Sequence, residues 1–463
     1  MKIVDLAKQY QDLDGKQVTI QGWLRNHRVG KNISFMMVND GTCFDVIQVV
    51  YKDIENQEEI SKTNIASAVE ITGTVKVTEG SKQDFEIVAD AIEVLAASSE
   101  DYPLQPKKHS YEFLREISHL RARSNTFNAV FRIRSLCSQI LHEYFAKEGY
   151  VHVHSPILTG ADAEGAGEMF QVTTLDLDNV PKTEEGQVDY KKDFFGKQAN
   201  LTVSGQLLAE TYALAFQKVY TFGPTFRAEH SNTTRHVAEF WMLEPEIAFA
   251  GLDEVIELEK DMLIYTVGEL LKRAPKELAF LNSLKDYDLV ERLESLVSAN
   301  FGRITYTEAV EMLQADIEAG KVKFENEVFW GVDLATEHEK YLTDVVFKTP
   351  LFVTDYPRDI KAFYMRVNDD MKTVAATDLL VPGIGELCGG SAREERLDLL
   401  DEQMSKFNID TEELNWYRDL RRYGGVKHAG FGIGFERLVM YVTGMENIRD
   451  VSSYPRTVRN LEF

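Results

Sequence analysis

Two hydrophobic rhythms divide the chain. Through roughly the first hundred residues apolar positions recur at every second place, in VTIQGWLRN, ISFMMVND, DVIQVVY, VEITGTVKV and DFEIVADAIEVL. Turn signals separate them, such as Asn39-Asp40-Gly41 and Glu79-Gly80-Ser81. A period of two puts alternate side chains on opposite strand faces, so each segment has one face to bury. Five such strands predict a small closed barrel over residues 1–100. Residues 101–124 contain Pro103 and Pro106 and predict a hinge, because proline disfavours helix in the residue before it. From there the period lengthens. Phe127, Val130, Ile133, Cys137, Ile140 and Tyr144 recur at three or four residues, the mark of an amphipathic helix, with Gly149 as its C-cap. Tyr150–Pro156 then alternates like a strand. The polar stretch 176–199 reads as a surface loop and residues 252–320 as a helical block. Strands PLFVTD and AFYMRV follow, then a long helix near 393–422, the strand GFGIGF and the helix ERLVMYVTG. Strands and helices without regular alternation predict an α+β domain over 125–463.

Charge narrows the function classes. Lys and Arg number 51 and Asp and Glu 75, so the net charge is 51 − 75 = −24. A generally basic nucleic-acid binder is excluded, but a local basic surface is not. Residues 107–134 supply one: Lys107, Lys108, Arg115, Arg121, Arg123, Arg132 and Arg134 stand against Glu112 and Glu116. The start lacks an apolar leader, and no uncharged apolar run of about 18 residues follows, so a cytoplasmic protein without membrane insertion is expected. Three scattered cysteines without CxxC spacing argue for reduced thiols and against zinc.

Three segments carry candidate chemistry. The first is Tyr220–Glu229, the loop HSNTTRHVAE and Phe240–Glu246. A hairpin there presents Arg227 and Glu229 on one face and Phe240 and Glu244 on the returning one. An arginine for a phosphate, a ring for a base and carboxylates for polar hydrogens suit a nucleotide, although an ordinary charged hairpin has the same composition. The second is Gly385-Glu386-Leu-Cys-Gly389-Gly390-Ser391-Ala-Arg393, in which glycines admit a ligand, Glu386 can hold Mg²⁺ and Arg393 can grip an oxygen. The third is Gly430-Phe-Gly432-Ile-Gly434-Phe-Glu436-Arg437, whose glycines clear one strand face. Neither GxGxxG nor GxxxxGK[ST] occurs in a fitting context, which excludes dinucleotide and P-loop folds.

Taken together these segments resemble the class II aminoacyl-tRNA synthetases: the helix and strand that end at Pro156 are similar to the first motif of that class, Arg227–Glu229 to the second and Gly432–Arg437 to the third. The barrel in front, read as an OB-fold, is similar to that of the aspartyl/asparaginyl/lysyl subgroup. GWLRNHR, EGAGEMF, LTVSGQLLAE and FRAEHSNTTRHVAEFWMLEPE most resemble its bacterial asparaginyl members. The resemblance implies ATP-dependent ligation of L-asparagine to tRNA(Asn) through an adenylate, in a homodimer paired through 125–156. It makes Arg227, Glu229 and Arg437 catalytic, and adds His236, Phe240 and Gly434 to the ATP site. Asp378 and Glu386 would carry Mg²⁺. Glu164, Ser204, Gln206, Glu244 and Arg393 would bind the amino acid, and Arg25, Arg28, Phe35 and Gln48 the anticodon. Aspartyl relatives carry lysine at the place of Ala209 and aspartate at that of Glu244; this pair of departures favours an amide over a carboxylate. The alternatives are an aspartyl or non-discriminating enzyme, or a non-charging RNA-binding paralogue. The tail SSYPRTVRNLEF departs from the family pattern after Arg456.

Overall fold

The alternating segments close into a barrel in the computed structural model. Strands β1 (Gln17–Arg28), β2 (Ser34–Asn39), β3 (Ile47–Tyr51), β4 (Ala68–Val77) and β5 (Phe85–Ala96) join in the order β1-β2-β3-β5-β4, and β4 pairs back onto β1. Ile20, Leu24, Met36, Val38, Val49, Ile71 and Ile87 fill its core. Burying a side chain of that size is worth roughly 1.5–3 kcal/mol, which is why the apolar alternation decides the face of each strand. A short helix, Ile3–Gln9, adds Ile3 and Leu6 to the same core, and nothing in the alternation marks it. The structure describes all residues except 79–82, 161–168, 232 and 410. The Glu79-Gly80-Ser81 turn and Glu164, with most of EGAGEMF, lie outside the described residues.

The chain divides into two compact units, Met1–Ala129 and Val130–Phe463. The proline-marked stretch therefore belongs with the barrel, and it folds into short helices Tyr111–Glu116 and Ser118–Arg121. Ser110 caps the first, its hydroxyl accepting from Phe113 N at 3.2 Å.

The second unit is built on a mixed eight-stranded sheet. Its strands are β6 (Val151–His152), β10 (Lys218–Phe226), β11 (Glu239–Ala248), β12 (Gly302–Thr305), β13 (Leu351–Pro357), β14 (Thr373–Val381), β15 (Gly385–Ala392) and β16 (His428–Gly434), in the order β12-β13-β14-β15-β16-β11-β10-β6. Only β6–β10 and β12–β13 pair in parallel. A small sheet of β7 (Leu158–Thr159), β8 (Gln171–Val172) and β9 (Ala199–Leu201) lies between them in sequence. Helix Asn125–Lys147 leads into β6 through Gly149, whose φ of +80° only glycine adopts cheaply.

Three segments differ from the expected pattern. The block 252–320 contains helices Leu252–Arg273, Pro275–Asn282, Leu289–Ser298 and Tyr306–Glu318, but also the edge strand β12. The helix expected over 393–422 is two, Leu397–Lys406 and Asn415–Arg422, because Asn408 turns left-handed at φ +55° and ends the first. AFYMRV forms no strand: it meets its neighbours only through isolated bridges, Met365–Arg393 and Val367–Val374.

Candidate active site

One face of the large sheet is stripped of side chains at its centre. Across the β10–β11 hairpin Thr221 pairs with Glu244 and Thr225 with Phe240, while Arg227 N just beyond donates to Ala238 O at 3.0 Å. Strands β16, β15 and β14 continue the sheet, so Glu244, Gly432, Gly389 and Asp378 fall in one row on one face. Glycine is dictated there by contact. A Cβ on Gly432 would lie 2.8 Å from Met242 Cε, and one on Gly430 2.3 Å from Glu246 Oε1. Above the bare strip is a cleft. Arg227, Glu229, His236, Phe240, Gly434 and Arg437, the whole set that resemblance assigns to ATP, line it. The Arg227 guanidinium carbon stands 5.4 Å from the Phe240 ring centroid, so that a cation and a flat ring face the same space. Burial and the nearby Arg437 charge hold His236 below the ordinary imidazole range, which keeps it neutral near pH 7.

The expected metal carboxylates meet at Gly389. A Cβ there would stand 3.2 Å from Asp378 Oδ1 and 3.4 Å from Glu386 Oε1, so both acids border one small space. A β-bulge makes this possible. The β14–β15 register shifts between Leu379 and Leu380, placing Glu386 opposite Leu380 and on the same face as Asp378. In an unbroken strand Glu386, three residues before Gly389, would point the other way. Each acid also has a cation: Lys361 Nζ lies 2.7 Å from Asp378 Oδ2, and Arg437 Nη1 3.1 Å from Glu386 Oε2. Burial works against the charge of Glu386, but Arg437 and Lys361 outweigh it and keep its carboxyl below the usual range. Two hard carboxylates beside one small space, with Glu386 lining the cleft, fit Mg²⁺, which takes one or two protein carboxylates and completes its shell with water and phosphate oxygens. Among the described residues no third His, Cys, Asp or Glu completes a metal-binding group.

The residues expected to bind the amino acid, Glu164 aside, lie toward the other end of the strip. Glu244 accepts from the Ser204 hydroxyl, from Gly205 N at 2.9 Å and from Thr221 Oγ1 at 3.1 Å. Ser204 thus seats Glu244, and its oxygen also accepts from Gln206 N at 3.1 Å, where helix Gln206–Phe216 begins. Arg393 is buried; Nε and Nη2 donate to Glu246 and Nη1 to Ser391 Oγ at 2.7 Å. Two of its five N–H groups take no part in these contacts. Burial pushes the Glu246 carboxyl up to about 7 against the pull of Arg393. Ala209 faces Val153, Ala213 and Val219, where its small size lets the helix lie close on β10. Sequence reasoning missed Glu246, Glu210 and Lys361. The first shares the period-two face of Glu244 and was within reach; the other two lie far along the chain from their partners and gave no signal.

In the barrel unit Phe35 and Gln48 lie on the outer face, Phe35 opposite Arg28 and Gln48 opposite Met37. The Arg28 guanidinium covers the Phe35 ring at 5.0 Å, and Gln48 Nε2 donates to Glu86 at 2.9 Å. Arg25 occupies a register break in β1, which turns it to Asn125 Oδ1 at 3.2 Å.

Comparison with known proteins is consistent across sequence and structure. Residues 110–458 match the family model described as tRNA synthetases class II (D, K and N), and residues 18–95 that of the OB-fold nucleic acid binding domain. An asparagine–tRNA ligase of Alkaliphilus metalliredigens is 57% identical, covering 100% of this chain and 99% of that protein. One from Bacillus anthracis is also 57% identical, covering 98% of each. Among solved structures, an asparaginyl-tRNA synthetase from Pyrococcus horikoshii complexed with asparaginyl-adenylate superposes with a TM-score of 0.85 at 32% identity over 97% of both chains.

Proposed function

The chain belongs to the class II tRNA synthetases of the D, K and N group, and we propose that it charges tRNA(Asn) with L-asparagine in two steps at the cleft just described. A carboxylate oxygen of asparagine attacks the α-phosphorus of ATP, the bond to pyrophosphate breaks, and asparaginyl-adenylate forms. A ribose hydroxyl of the terminal adenosine then attacks the acyl carbon, and AMP leaves. No protein nucleophile is needed, so the residues act by alignment and by neutralising charge. Arg227 holds the α-phosphate, Phe240 and Arg437 enclose the adenine, and Glu229, His236 and Gly434 complete the ATP site. Asp378 and Glu386 would hold Mg²⁺, which when bound neutralises phosphate oxygens. Glu164, Gln206, Glu244 and Arg393 receive asparagine, with Ser204 beneath Glu244. Working in the cytoplasm as a homodimer paired through 125–156 belongs to the same reading; among the described residues no helix is long and apolar enough to cross a membrane.

One observation supports the amide over the acid. Arg393 is already paired with Glu246, whereas the donors that seat Glu244 are neutral. Glu244 therefore meets the substrate's side chain with no cation seated on it: it repels a carboxylate, while an amide donates to Glu244 and accepts from Arg393. Sites built on specific hydrogen bonds reject mismatched isosteres by about 10⁴ or more. Amino-acid-dependent ATP–pyrophosphate exchange tests this directly: asparagine supports it and aspartate does not. The double variant Ala209→Lys with Glu244→Asp shifts the kcat/KM ratio toward aspartate, and an unchanged ratio in a folded, active variant removes these positions from specificity. Ala209→Lys alone places an unpaired lysine against Val153 and Val219 and lowers stability by about 1–3 kcal/mol.

The barrel reads the anticodon through Phe35 and Gln48, with Arg25 and Arg28 on the RNA backbone. Phe35→Ala weakens tRNA charging by about 1–3 kcal/mol per lost stacking contact and leaves tRNA-independent exchange intact. Equal loss in both reactions makes Phe35 a packing residue only.

A further inference from the structure

Behind the amino-acid pocket lies a buried carboxylate that the reaction does not use. Glu210, one turn into helix Gln206–Phe216, is fully buried. Its Oε1 accepts from Gln206 Nε2 at 3.2 Å and from Tyr417 OH at 2.9 Å. Its Oε2 meets His428 Nε2 at 2.8 Å and Arg421 Nη2 at 3.1 Å. A carboxylate offers about four acceptor sites, so this one is saturated, and its partners come from its own helix, from helix Asn415–Arg422 and from β16. Burial opposes its charge, but the His428 contact and the Arg421 charge outweigh that and bring its carboxyl down to about 2. Glu210 is thus an acceptor only, at every working pH.

That fixes the polarity of its neighbour. An amide has a donating and an accepting end, and a group that can only accept must face the donating one. Gln206 therefore spends its NH₂ on Glu210 and keeps its carbonyl for other partners, and no donor among the described residues meets that carbonyl. We propose that Glu210 is a positioning residue: it turns the Gln206 amide so that the carbonyl, not the NH₂, faces the amino-acid pocket, and so selects substrates bearing a free α-ammonium group. The inference rests on the reading of Gln206 as an amino-acid ligand. It adds how a neutral side chain, free to present either end, is made into an acceptor for a cation. Tyr417, Arg421 and His428 hold Glu210 in turn, so the polarity of a pocket residue is set by segments more than 200 positions away.

The test is ATP–pyrophosphate exchange with asparagine, inhibited by succinamate, which is asparagine without its α-amino group. Glu210→Gln offers an amide to four donors and lets Gln206 turn over. Losing a hydrogen bond to a charged group raises the asparagine KM about tenfold or more. The KM for ATP and the inhibition constant of succinamate stay within about twofold, because neither involves the ammonium. A loosened fold would move all three together. The exchanged pair Gln206→Glu with Glu210→Gln restores one carboxylate and one amide in donor–acceptor order, and recovers the asparagine KM to within about threefold of the original enzyme. Gln206→Met separates the two layers. If it leaves the asparagine KM unchanged, Gln206 is no ligand and the inference falls with that reading. If it raises the KM while Glu210→Gln does not, the reading stands and Glu210 does not set the amide. Should Glu210→Gln fail to fold, the exchanged pair decides: recovery supports the inference, and a KM as poor as that of Gln206→Met overturns it.

Discussion

Arg227→Ala and Arg437→Ala are each expected to abolish adenylate formation in a protein that still folds. Charge develops on the α-phosphate as it becomes five-coordinate, and a preorganised donor aimed at such charge, the role proposed for Arg227, is worth about 3–4 kcal/mol, or 10²–10³ in rate; Arg437→Ala instead removes one wall of the adenine site. Both side chains line the cleft and neither fills a core. Their removal therefore costs chemistry more than stability. Arg437 carries a second duty, since its loss leaves Glu386 without the guanidinium 3.1 Å away. Arg437→Lys separates the two, keeping a charge for Glu386 while losing the flat, stacking group. ATP–pyrophosphate exchange alongside a melting curve is the measurement. Near-normal exchange in a folded Arg227→Ala protein would refute its assignment.

The other large effect is expected from a single methyl group. Gly389 does not adopt the left-handed conformation that glycine favours, so alanine is acceptable to its backbone. Its Cβ would stand 3.2 Å from Asp378 Oδ1 and 3.4 Å from Glu386 Oε1, tight but not a collision, in the space the two carboxylates share. Gly389→Ala thus probes that space while leaving Asp378, Glu386 and their cations in place. Metal ions at phosphoryl oxygens contribute several kcal/mol, so exchange should fall about 10²-fold and half-maximal activity should need more Mg²⁺. The melting temperature should change little. Unaltered Mg²⁺ dependence with normal exchange means that the metal is held elsewhere.

The strands of the barrel and the glycine strip were legible in the sequence because both obey a local period. Ile20, Leu24 and Met36 face inward for the reason their spacing states, and Gly430, Gly432 and Gly434 bare one face because each is two residues from the next. Glu386 was named from its chemistry, but its direction was not readable: without the bulge between Leu379 and Leu380 it would face away from Asp378. A bulge depends on how two strands slip past each other, which neither strand states alone. The same holds for Glu210, Tyr417, Arg421 and His428, whose meeting is a property of packing. AFYMRV failed for the opposite reason. Its composition favours a strand, but β-propensity records half-buried surroundings more than pairing, and the residues around it offer only isolated bridges.

The large sheet tapers to its smallest members at both margins: β6 has two residues and β12 four, while the interior β11 has ten. Unpaired edge groups are templates onto which another chain can add, and brevity is one way natural sheets deny that foothold. The barrel has no margin at all, since β4 returns to β1. A protein built this way offers few places for strands to stack between molecules, so it should tolerate crowding at high abundance, with aggregation beginning from unfolded chains rather than from the native fold.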